Sequence, residues 1–201
     1  MSLGEFQRAF ADLAASPEQC LAARRDLVGW STTYDLTERE RRRLAAMVHD
    51  ESMSVNCTLY RVNRLTPIYS VLPLTCSFLG DRLLPELLSF WDSITDATLQ
   101  YRREAWRLAH WLLDRIAAGK LAGGPIEDAI RFELAAFDAR TGEHIAAPPD
   151  AFPHPRKRLV RFSYNPQEVL DPDSTLEWIP LDEPRHVLLD ATGDTLVVRV
   201  V

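Results

Sequence analysis

Side chains able to do chemistry are few in this chain, and they are scattered. His110 and Asp114 stand one helical turn apart, which could hold half a metal site, but a polar strip on a long helix is the preferred reading. His49, His144, His154 and His186 do not fall at ligand spacing around them, so no metal centre is expected. Cys57 and Cys76 are nucleophiles by type, but neither has a CxxC partner or another mark of an activated thiolate; both read as small buried apolar residues. A hydrolase of the nucleophile-elbow kind needs a GxSxG turn, and none occurs. The 8 glycines are too dispersed to cradle a dinucleotide or a phosphate. No catalytic constellation emerges.

Polar groups suited to recognition are better placed. Tyr60, Arg61, Asn63 and Arg64 crowd into five positions between Cys57 and Cys76, where they could bind an anion or orient a partner's loop, or simply make a helix surface polar. A basic run, His154-Pro-Arg-Lys-Arg-Leu-Val-Arg161, contains Arg158 and Arg161. From Phe162 to Pro184 there is no Lys or Arg, whereas Glu168, Asp171, Asp173, Glu177, Asp182 and Glu183 supply acid. An acidic loop beside a small free-edged sheet suits capture of a basic peptide by strand addition. The same loop equally suits a solvated cover that keeps the edge from aggregating.

The elements that must carry these groups follow from period and punctuation. Ser2 with Glu5, Ser16-Pro-Glu-Gln19 and Thr37 with Glu40 have capping-box spacing. They predict helices over 3–15, from 17 to about 26, and from 38 to about 48, with Val28–Tyr34 as a connector whose aromatics pack down. The run Glu38–Arg43 reads as a solvated helix face with intrahelical pairs. Leu59, Val62, Leu65 and Tyr69 recur at helical steps, which predicts one inward face; Pro67 and Pro73 predict a kink or break, and Gly80 a stop. Helices are expected over 82–94 and 96–118. Over 126–137 both periods are present, and helix is preferred to strand. Prolines 148, 149, 153 and 155 mark 141–157 as a linker. Beyond it the period becomes two: strands are expected at Leu159–Tyr164, His186–Asp190 and Thr195–Val201, the last two joined by a hairpin turn. The fold class is therefore α+β, a helical domain over 1–140 followed by a small antiparallel β module over 158–201. Three strands are near the minimum for stability, so the sheet should lean on the helices or on a partner.

Totals narrow the function classes. A chain of 201 residues, 46% hydrophobic and 26% charged, can bury a conventional core. Its net charge of -6 disfavours a general phosphate-backbone binder. Three widely spaced cysteines suit a reducing compartment, and no secretion signal or membrane-length apolar run is visible, so a cytoplasmic location is expected.

The pattern Leu59-Tyr-Arg-x-Asn63, Leu72-Pro73, Phe78-Leu-Gly80 and Leu88-x-Phe-Trp91 resembles a helical family often described as DNA-binding, whose members accompany a multinuclear iron oxidase of TIM-barrel fold. Ile130-Arg-Phe-Glu-Leu-Ala135 resembles that family's closing helix. With a small C-terminal β part added, the layout is similar to the MbnC-like methanobactin biosynthesis proteins. That resemblance implies a non-catalytic partner of an MbnB-like oxidase. Together the pair would convert cysteines of a ribosomally made precursor peptide to oxazolone and thioamide groups. It implies a heterodimer, a bound precursor leader, iron held by the partner and no cofactor on this chain. On that reading Tyr60, Arg61, Asn63 and Arg64 face the oxidase, while Arg158, Arg161, Glu168, Asp171, Asp173 and Glu177 face the peptide. The main rival is a DNA-binding regulator using Arg41, Arg42, Arg43 and the basic run at 156–161.

Overall fold

Helix caps lay out the first part of the chain. The computed structural model describes residues 3–94, 101–142, 154–171 and 178–201. Helix α1 spans Leu3–Ala15, and Ser16 Oγ accepts from the Gln19 amide to open α2, Pro17–Arg25. Gln19 does not reach back to that cap with its side chain; its Oε1 accepts from Trp30 Nε1 at 2.6 Å. The expected connector is coiled into one turn, α3 (Leu27–Trp30), followed by a 3-10 turn. Thr37 and Glu40 form the reciprocal capping box that opens α4, Glu38–His49. At its far end Arg24 donates to the carbonyls of Val48 and Asp50, satisfying acceptors that a helix terminus leaves unpaired. The apolar faces of these helices close over Leu13, Leu44 and Val48, with Trp30 and Tyr34 packed against the cluster as the sequence predicts. The charged run on α4 is solvated, and Arg42 pairs with Glu38 at 3.7 Å one turn away.

Helix α5 runs unbroken over Glu51–Val71 with Pro67 inside it. The proline removes a single donor, and the turns on either side hold the helical path. A new helix, α6 (Pro73–Leu79), starts only after Leu72. The inward face is not the expected one. Met53, Cys57 and Ile68 are buried, whereas Leu59, Val62 and Tyr69 are about half exposed, as is Val55. Apolar residues occur on two sides of this helix, so periodicity alone could not choose between them.

The chain forms two compact units, Met1–Thr66 and Pro67–Val201. In the second unit α7 (Leu83–Ser93) and α8 (Tyr101–Ala117) precede α9, Pro125–Thr141, which is a helix as preferred. The sheet follows: β1 (Lys157–Tyr164), a turn of helix α10 (Pro166–Val169), β2 (Pro180–Asp190) and β3 (Val197–Val200). All pairing is antiparallel in the order β1-β2-β3. Val160, Phe162, Val187 and Leu189 form one core with Ala129 and Ala136 of α9. A small sheet has one apolar face and must bury it on something; here it buries it on the preceding helix, which joins helices and strands into one unit. The chain is α+β. No described helix is long and apolar enough to cross a membrane.

Candidate functional site

Position on the sheet follows from register. Partners in an antiparallel ladder share a face, and side chains alternate along each strand. Val160, Phe162, Val187 and Leu189 face α9. Val198 is opposite Leu189 and Val200 opposite Val187, so both valines extend that inner face. They are 41% and 50% exposed, because α9 covers β1 and β2 but does not reach over β3. Val197, paired with Asp190, and Arg199, paired with Leu188, lie on the outer face.

The same ladder tells which backbone groups are free. The Val201 amide donates to His186 O at 2.9 Å, toward β2. Groups alternate in direction along an antiparallel strand, so Val198 and Val200 turn their N–H and C=O away from β2. Among the described residues no strand pairs with this side of β3. The opposite edge is partly closed: Asp128 of α9 accepts from the Ser163 and Tyr164 amides at 2.7 and 2.9 Å. Burial pushes the Asp128 carboxyl above its ordinary range, against the pull of those two amides.

The outer face carries cationic groups around an apolar row. Leu159 is opposite Leu188, and Leu188 opposite Arg199; one step along, Arg161 is opposite His186. Asp182 lies much farther along β2, and the carboxylate beside Leu188 on that face, Asp190, is engaged by Lys157 Nζ at 2.9 Å and by Thr192. Those contacts, the Thr192 hydroxyl foremost, hold it well below the usual carboxylate range. Arg199 has no ion-pair partner among the described residues.

The residues singled out from sequence are not gathered at one place. Arg161 is exposed on the outer face. Arg158 shares the inner parity, and its guanidinium donates to the carbonyls of Pro155 and Lys157, holding its own loop. Glu168 accepts from Asn165 Nδ2 and so helps cap α10, and Asp171 is exposed just past that helix. Asp173 and Glu177 lie outside the described residues. Tyr60, Asn63 and Arg64 sit on α5 in the first unit, with the Arg64 guanidinium 5.6 Å from the Tyr60 ring centroid; the Arg61 side chain is outside the description. Val55, Leu59 and Val62 form an exposed apolar stripe on the same helix. Sequence reasoning missed Arg199, Val198 and Val200 as site residues. The signal was there in Val197-Val-Arg-Val-Val201, a strand with one charge, but its place at the edge depends on strand order.

The other candidates for chemistry have structural surroundings. The His110 ring packs at a tilt against Trp106, ring centroids 4.0 Å apart, and burial lowers its pKa although Asp114 opposes the shift. Among the described residues no group of three metal-ligating side chains converges. Cys20, Cys57 and Cys76 are buried thiols, Cys57 Sγ donating to Leu13 O at 3.3 Å, and burial pushes Cys76 up to about 12.

Fold and site together define a class: an α+β protein whose small antiparallel sheet is backed by a helix and, among the described residues, open along one aliphatic edge. Compared with family models, curated proteins and solved structures, the chain matches none.

Proposed function

We propose that this chain is a non-catalytic accessory subunit that captures the leader of a ribosomally made precursor peptide along β3. It would present that peptide to a TIM-barrel iron oxidase bound elsewhere on its surface. The observation that carries this reading is the edge of β3, where Val198 and Val200 offer backbone groups unpaired among the described residues together with exposed apolar side chains. Main-chain bonds along such an edge give affinity, and alternate side chains give selectivity. The exposed stripe Val55, Leu59 and Val62, next to Asn63 and Arg64, supports α5 as the surface for the oxidase. Iron and oxygen chemistry belong to the partner in this reading, and the modification is the cysteine-to-oxazolone and thioamide conversion of methanobactin-type pathways.

Co-expression with an MbnB-like oxidase, followed by size-exclusion chromatography with and without a precursor peptide, tests it. A stable heterodimer that retains the peptide is expected. Val62→Glu should weaken the heterodimer while leaving peptide binding intact. A monomer indifferent to both oxidase and peptide, or substrate turnover by this chain alone, would refute the proposal.

A further inference from the structure

From the charge on β3 we infer what the captured segment looks like: an extended stretch with an acidic residue flanked by aliphatic ones, seated with the acid opposite Arg199. This rests on the edge reading above and adds the chemistry of the occupant. A strand laid antiparallel along β3 bonds to the outward groups of Val198 and Val200. Arg199 then falls at the non-hydrogen-bonded position between them, where opposed side chains come closest. Its side chain is on the outer face, so the residue facing it is on the outer face too. The neighbouring cation there is Arg161, opposite His186, while Asp190 is held by Lys157 and Thr192. A basic residue in the incoming strand would meet Arg199 with the adjacent Asp190 already engaged, whereas an acidic one would pair with Arg199, so the basic peptide expected from the acidic run gives way to an acidic one. The residues on either side point inward, where they cover Val198 and Val200 and continue the core of Val187 and Leu189.

A second copy of this chain is the rival occupant, and the same charge disfavours it. The two-fold register that pairs the whole of Val197–Val201 with itself sets Arg199 directly opposite its mate. Like charges at that position are destabilising.

The test is selection of twelve-residue peptides from a random phage-displayed library on the full-length chain and, in parallel, on Arg199→Glu. Wild type should enrich aliphatic–acidic–aliphatic cores, and R199E should enrich aliphatic–basic–aliphatic ones. A synthetic peptide from the first pool should bind R199E about tenfold more weakly, the change from an attractive to a repulsive cross-strand pair. Replacing Glu by Lys in the peptide probes the same contact on an unaltered chain and should cost a similar factor. Val200→Pro removes an outward donor without touching the ladder to β2, and it should abolish binding. If V200P abolishes binding while R199E and the Lys peptide are neutral, the acidic specificity is overturned and the edge reading stands. If peptides bind wild type and V200P alike, or none is enriched, the edge reading fails with it. A dimer seen by analytical ultracentrifugation and dissolved by V200P would give the edge to a second copy and overturn the inference.

Discussion

Glu133→Gln should change how the stability of this protein depends on pH, by an amount the structure lets one work out. Glu133 is on α9 and only 4% exposed. Its carboxylate accepts from the Leu74 amide at 2.6 Å, the Thr75 amide at 3.0 Å and the Thr75 hydroxyl at 2.6 Å. Helix α6 begins there without a side-chain cap of its own, so Glu133 caps it from across the core. Burial outweighs these bonds and pushes the carboxyl from 4.5 up to about 7. The native state therefore holds the proton more tightly than the unfolded chain. The stabilisation is complete below pH 4.5, is lost as pH rises to about 7, and is flat beyond. At 1.36 kcal/mol per pH unit the loss is about 3 kcal/mol. Glutamine keeps an acceptor for the α6 amides and does not titrate. Asp190 and Asp50, held low by their own partners, contribute in the opposite direction but equally to both proteins. Cys76, the thiol beside Glu133, stays protonated throughout the range. Urea unfolding followed by circular dichroism at pH 4.5, 6, 7 and 8 is the assay. The stability of Glu133→Gln relative to wild type should rise by about 3 kcal/mol across that range. Parallel profiles would show that the buried carboxylate is not penalised when ionised, and would refute the argument.

Two further outcomes are expected. Phe162, fully buried between β1 and α9 with Phe132 6.1 Å away, should cost about 3–5 kcal/mol on replacement by alanine, read as a lower urea midpoint. With the thiol reagent DTNB at neutral pH, Cys20, Cys57 and Cys76 should react slowly in the native protein and fully in denaturant, because all three are buried; a stoichiometric fast thiol would contradict the packing.

Local signals carried the helical part far. Thr37 with Glu40 and Ser16 with Gln19 specify a helix terminus through bonds made within a few residues, Pro125 specifies one through its fixed φ and missing donor, and each stands in the structure where the sequence puts it. Period two marked the three strands for the same reason, since alternation is a property of the strand itself. What sequence could not supply was which apolar face turns inward. On α5 two faces compete, and the choice of Met53 and Cys57 over Leu59 and Val62 is made by the neighbouring helices.

The chain's own order thus determined the α+β class, the element types and most caps, because those depend on short-range bonding and period. Only the tertiary structure decided that β1 and β2 are backed by α9 while β3 is left at the rim, and that α9 and the sheet belong to one compact unit. Strand order and the reach of a covering helix join residues far apart in sequence. Arg199 became a candidate binding residue through the company it keeps across the sheet.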